Sequence, residues 1–140
     1  MKITIIDGQG GQLGAQLVKE IYEHFTEADI TAIGTNAAAT AAMLKAGAKN
    51  AATGENPVIV AAGKADVIIG PVGIVIADSL LGEITEKMAA AVGKSNAVRI
   101  LIPTNKCENL IAGVPNLNTS ALIADTLTKL NNIISQKKDH

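Results

Sequence analysis

An α/β domain with a mostly parallel, doubly wound sheet follows from three features of the sequence. Aliphatic segments that read as strands alternate with segments of helical period. Glycine, proline and small polar residues gather where strands give way to helices. Aromatic residues are almost missing: Trp is absent, and Tyr22 and Phe25 stand alone. The core must therefore be Ile, Val, Leu and Ala, the composition of strands covered by helices on both faces. Strands joined through helices need right-handed crossovers and so pair in parallel. The expected architecture is one Rossmann-like domain over residues 1–140, with four or five strands.

"KITII" is a first strand. "QLGAQLVKEIYEHF" is a first helix, with Leu13, Leu17, Ile21 and Phe25 recurring on one face. "DITAIG" is a second strand, and "AAATAAMLKAG" a second helix that Gly47 is placed to close. "NPVIVAA" reads as a short helix with Asn56 as N-cap and Pro57 at its first position. "ADVIIG" is the next strand. A long helical region runs from Ile74 to Val92, with a break near Gly82. "AVRILIP" is another strand and "NLIAGV" a short final one. Thr119 or Ser120 then caps a last helix that ends near Ser135.

Composition bounds the function. The chain is 48% apolar, enough for one core, and its formal net charge is −1. No basic stripe precedes the tail Lys137-Lys138, and there are no aromatic platforms for bases, so nucleic acid is not an expected partner. Cys107 is the only cysteine, which excludes an internal disulfide. No apolar run approaches the roughly 20 residues of a membrane span, and no signal-peptide pattern opens the chain. A cytoplasmic protein without a membrane partner is expected. The helix 37–47 carries one charge, Lys45, and "GIVIADSLLGEI" is also mostly apolar. Helices apolar on more than one face are buried on more than one face, which predicts a homo-oligomer burying one or both segments.

In a doubly wound sheet, ligands bind beyond the carboxyl ends of the strands, where the strand order reverses. The loops expected there are Asp7 to Gly14, Gly34 to Asn36, Gly70 to Gly73, and Pro103 to Cys107. The first nearly fits the dinucleotide fingerprint G-x-G-x-x-G. Gly8 and Gly10 match its first two glycines, Leu13 stands at the third, and Gly14 comes one residue late. Gly8 would let the strand turn. Gly10 or Gly11 would let backbone N–H groups approach an anion at the helix start, beside Gln9 and Gln12. Gly14 would let the helix pack close to the sheet. The plainer role of the same loop is a tight strand-to-helix turn.

An ordinary NAD site also has an acid at the end of the second strand, bound to the ribose hydroxyls. Here that end reads Gly34, Thr35, Asn36, without a carboxylate; Asn36 could bond a ribose or cap the next helix, and the cap is the favoured role. Gly70, Pro71, Val72 and Gly73 form a rigid turn with bare backbone, against which a flat ligand could lie or from which a helix simply starts. Asn105 lies in the last of the loops. Asp7 sits at the tip of the first strand; a metal, a base or a ribose contact is open to it, and bonding to the loop's own amides is the favoured role. Asp78, Glu83 and Glu86 fall in the long helical region, so a metal cluster has no support. "GKS" at Gly93 to Ser95 lacks the earlier glycine of a Walker A loop and precedes a strand. Cys107 has no obvious histidine partner, since His24 and His140 lie elsewhere, and reads as a bystander. Glu55, in "TGEN", either caps a helix or reaches into the crevice.

"IDGQGGQLG", "GTNAAATAAMLKAGA", "ATGEN", "DVIIGPVGIVIADSLLGEIT" and "ILIPTNKC" together resemble a family of short bacterial proteins known only as a domain of unknown function. The resemblance covers the chain up to about Gly113 and implies no activity, substrate or catalytic residue. The glycine loop alone is similar to Rossmann dinucleotide-binding proteins. The residues point to a protein that binds a nucleotide, a dinucleotide or another small phosphate-bearing ligand. Its site would comprise Asp7, Gly8, Gln9, Gly10, Gly11, Gln12 and Gly14, with Thr35, Asn36, Gly70, Pro71, Gly73 and Asn105. A small enzyme using Asp7, Glu55 or Cys107 in the same crevice, or a regulatory oligomer without a small ligand, are the alternatives.

Overall fold

The computed structural model describes residues 1–104 and 109–138. Among these residues there are five strands: β1 (Lys2–Asp7), β2 (Asp29–Gly34), β3 (Asn50–Thr53), β4 (Val67–Pro71) and β5 (Val98–Ile102). Five α-helices accompany them: α1 (Gln12–His24), α2 (Ala37–Lys45), α3 (Glu55–Lys64), α4 (Glu86–Lys94) and α5 (Thr119–Lys138). The sheet is parallel throughout, in the order β3-β2-β1-β4-β5. The chain runs outward from β1 to β3 and then returns to place β4 on the other side of β1. The carboxyl ends of β1 and β4 thus flank the switch point, where connections leave to opposite sides and a crevice opens.

Side chains alternate across β1, which sits at the centre of the sheet. Ile3 and Ile5 join a cluster with Leu17, Val18 and Ile21 of α1, Met43 of α2, and Ile123 and Leu130 of α5. Ile6 joins Ile33 and Ile68 on the other face, against Val58 and Ala62 of α3 and Met88 and Val92 of α4. Three helices therefore cover one face and two the other. The far end of α5 is tied to the sheet through Asp66, whose carboxylate accepts from the Lys2 N–H at 2.7 Å and from Lys137 Nζ at 3.1 Å. The bond from the Lys2 amide first, and then Lys137, hold the Asp66 pKa below its ordinary value.

The structure departs from the expected elements at several points. β3 is a strand that periodicity does not reveal: "NAAT" is four residues long and lies at the sheet edge, paired only with β2. α3 starts at Glu55 after Gly54, whose φ is +109°, so Asn56 is not its cap; Pro57 still sits in the first turn, where its missing N–H costs nothing. The region Ile74 to Val92 is not a helix broken at Gly82. A short 3-10 turn spans Val72–Val75, irregular chain follows, and only Glu86–Lys94 is α-helical. Residues 109–114 form exposed irregular chain and not a strand. The cap of α5 is Asn118, whose Oδ1 accepts from the Ala121 N–H at 2.8 Å. α2 closes as expected: Gly47, with φ +115°, donates to the Leu44 carbonyl, and Ala48 to that of Met43.

Candidate functional site

The loop after β1 is organised by Asp7. Its carboxylate is buried, with Oδ1 accepting from the Gly8 N–H at 2.8 Å and Oδ2 from the Gly14 N–H at 2.6 Å. One side chain thus binds both the start of the loop and the first turn of α1. Gly14 makes this possible: a Cβ there would lie 2.9 Å from Asp7 Cβ and 2.6 Å from Met43 Sδ. The N-cap of α1 is Gly11, with φ +73°, and a Cβ on it would meet the Ala39 backbone at 2.7 Å. Gly8 is hemmed in by Thr35 Oγ1, 2.6 Å from a built Cβ. Gly10 differs: a Cβ there would touch nothing within 4 Å, and its φ is not in the left-handed region. The turn itself does not require glycine at position 10.

Gly10 instead borders a cavity of about 540 Å³ at the switch point. The cavity is lined by Asp7 to Leu13 and Gln16, by Pro71 at the end of β4, and by Ile102, Pro103 and Thr104 after β5. Leu80, Leu117, Asn118, Thr119 and Leu122 complete the wall. Two helices begin at this cavity, α1 at Gln12 and α5 at Thr119. The N–H groups of Gly10, Gln12 and Leu13 find no acceptor among the described residues. Unpaired amides and the positive ends of two helix dipoles favour negative charge here. The Asp7 carboxylate would oppose an anion, but its oxygens are turned to the Gly8 and Gly14 amides. Among the described residues, no group of three or more His, Cys, Asp or Glu is placed to hold a metal ion.

The remaining sequence-selected residues divide in two. Of the Gly70 to Gly73 turn, only Pro71 lines the cavity. Gly70 lies within β4, where a Cβ would press on the Ile6 carbonyl oxygen at 2.4 Å, and Gly73 is buried. Asn105 and Cys107 lie outside the described residues. Thr35 and Asn36 stand on the β2 side of the loop, outside the cavity lining, and are engaged by Glu83, which lies in a stretch whose apolar spacing predicts a helix. Glu83 Oε1 accepts from Thr35 Oγ1 at 2.9 Å, from Asn36 Nδ2, and from the Gln9 N–H at 3.1 Å; Oε2 shares the Gln9 N–H at 3.1 Å. Asn36 also caps α2 through the Ala39 N–H, as expected, and donates to the Gln9 carbonyl.

Glu83 reaches this position on a tight loop between β4 and α4. Asp78, Leu80 and Leu81 all have positive φ, at +64°, +55° and +56°. Such backbone costs on the order of 1–3 kcal/mol per residue and survives only where its surroundings enforce it. Here the Asp78 N–H donates to the Ile84 carbonyl at 2.7 Å, Ser79 Oγ donates to the Gly73 carbonyl, and Ile84 is buried. The start of α5 and the Glu83 loop are the parts of the site that the sequence conceals. Both arrive through tertiary packing, with no local pattern to announce them.

Fold and site define a Rossmann-like α/β domain with a glycine-rich loop at its switch point. The chain belongs to a family described as domain of unknown function DUF3842, whose model matches residues 2–135. That match runs through most of α5, well beyond Gly113. No curated protein matches the chain. Among solved structures, it is similar to a dodecameric FMN-dependent UbiX-like decarboxylase from Escherichia coli O157:H7, with a TM-score of 0.50 and 16% identity over 94% of this chain and 76% of that one. At that identity the likeness concerns the fold. Among the described residues, no helix is long and apolar enough to cross a membrane.

The Asp7 geometry carries a prediction. Asp7→Asn turns an amide nitrogen toward one of the two N–H donors, leaving that donor unpaired and buried. It is expected to lower the unfolding free energy by about 1–3 kcal/mol in urea denaturation. An unchanged midpoint would show that the carboxylate does not organise the loop.

Proposed function

We propose that the protein binds a small phosphate-bearing ligand, a nucleotide above all, in the cavity at the switch point. The observation that carries this reading is the convergence of two helix N-termini, those of α1 and α5, on one cavity bordered by Gly10. Backbone amides at a helix start are suited to phosphate oxygens, and two such starts reinforce one another electrostatically. Gly10 supports the reading independently, since its lack of a Cβ serves approach to the cavity and not the turn. The volume of about 540 Å³ suits a mononucleotide-sized ligand.

The site residues of this reading are Gly8 to Gln12, Pro71 and the start of α5, with Asp7 and Gly14 as positioning residues. Inorganic phosphate, ADP and FMN are suitable probes, FMN because the structurally similar decarboxylase depends on it. Isothermal titration should detect binding of at least one of the three. Gly10→Val should weaken that binding at least about tenfold and change stability by less than about 1 kcal/mol, as exposed substitutions do. Equal affinities for wild type and variant would end the reading.

We also propose self-association. The outer side of α2 exposes Leu44, and Val60 on α3 and Leu110, Ile111, Val114 and Leu117 before α5 are exposed too. Within the region 74–92, only the residues of α4 (Glu86–Lys94) are α-helical, so these exposed side chains are the surface offered for association. Analytical ultracentrifugation at tens of micromolar should show a dimer or larger, since interfaces of ordinary size hold at that concentration. A monomer would refute it.

A further inference from the structure

We infer that Glu83 is the ribose-reading residue of this site, supplying from a distant loop the carboxylate that the end of β2 lacks. The inference rests on the phosphate reading above and narrows its ligand to one bearing a free vicinal diol.

Thr35 and Asn36 follow directly on the last residue of β2, and the Thr35 N–H donates to the Asp7 carbonyl at 3.0 Å, so the ends of β1 and β2 are held side by side. In a doubly wound nucleotide site, this is where an acid accepts hydrogen bonds from ribose hydroxyls. The chain has no acid there, yet the structure puts one there. Glu83 Oε1 receives three donors, from Gln9, Thr35 and Asn36. Oε2 has only the shared Gln9 N–H among the described residues, and Glu83 is half-buried, outside the cavity lining and joined to it through Gln9. A carboxylate fixed on one oxygen and available on the other is an oriented acceptor.

The loop that delivers Glu83 makes little sense as packing alone. Ile84 and Leu80 face the protein, but Leu81 is 96% exposed, and three non-glycine residues hold left-handed backbone. Strain of this kind, closed by the Asp78 to Ile84 hydrogen bond, fixes a side chain that a relaxed connection would not present. The outcome is a negative charge beside the glycine loop at the end of β2, while the start of α5 lines the cavity together with Pro71 of β4. A ligand with phosphate over Gly10 to Gln12 and a neutral diol toward Thr35 matches both ends. A second phosphate on that diol would meet the carboxylate and be rejected.

The test uses the intact protein and three probes: ADP, 2′-deoxy-ADP and adenosine 2′,5′-bisphosphate, with inorganic phosphate as control. Wild type should bind ADP about tenfold more tightly than 2′-deoxy-ADP, the size expected for one hydrogen bond to a charged acceptor. It should bind the bisphosphate more weakly still. Glu83→Gln should shrink the ADP preference to about twofold and raise affinity for the bisphosphate about tenfold. The wild-type ratio is decisive even if the variant does not fold. Equal wild-type affinities for ADP and 2′-deoxy-ADP would overturn the inference. So would a Glu83→Gln effect identical on all three nucleotides, which would mark Glu83 as a loop tie alone. Binding of inorganic phosphate without either ADP or its deoxy analogue would overturn the diol reading and leave the phosphate reading standing. Binding of none of these probes would overturn the diol reading, and failure of FMN to bind as well would end the phosphate reading.

Discussion

The double hydrogen bond of Asp7 is the constraint on which the site depends. Through Gly8 and Gly14 it fastens the end of the central strand to the first turn of α1. This fixes where the helix starts, how close it lies to the sheet, and which amides remain unpaired. Once Gly14 N–H is satisfied by Asp7 and Gly11 N–H by the Gly8 carbonyl, the amides of Gly10, Gln12 and Leu13, residues that line the cavity, are left without an acceptor among the described residues. A buried carboxylate would ordinarily be a poor neighbour for an anion. Here its two oxygens accept from the Gly8 and Gly14 amides, which must be paired in any case.

Two carboxylates thus divide the work around one loop. Asp7, on the α1 side, shapes the backbone. Glu83, on the β2 side, gathers Gln9, Thr35 and Asn36. The parallel sheet brings them together because β1 lies between β2 and β4, so the connection leaving β4 passes close to the end of β2. The third contribution, the start of α5, comes from the same topology. α5 packs on the α1 face, through Ile123 and Leu130, and this sets its first residues beside Leu13 and Gln16.

The fold was legible because its strongest signals are local. β1, β2, β4 and β5 are aliphatic runs, and α1 has an unbroken apolar face, so the parallel α/β class follows directly. β3 was not legible, since "NAAT" has neither length nor β-branched bulk and is a strand only by pairing with β2. The stretch after Ile74 misled for the opposite reason. Its apolar spacing imitates a helix, while Asp78, Leu80 and Leu81 adopt left-handed backbone that tertiary bonds enforce. In the site, the glycine loop could be placed from sequence, because glycines at a strand-to-helix junction have a local cause. Glu83 and Asn118 could not, because nothing near them in sequence records what they approach in space.

The central claim is that the paired starts of α1 and α5 bind phosphate. Amide chemical shifts of the ¹⁵N-labelled protein during titration with inorganic phosphate, ADP and FMN in turn test it most directly. The account predicts that the largest shifts fall on Gly10, Gln12 and Leu13 together with Thr119 and Ser120, saturating with a single affinity. Shifts confined to the opposite edge of the sheet, around Lys2, Asp29 and Asn50, or none at any of these amides, would contradict it.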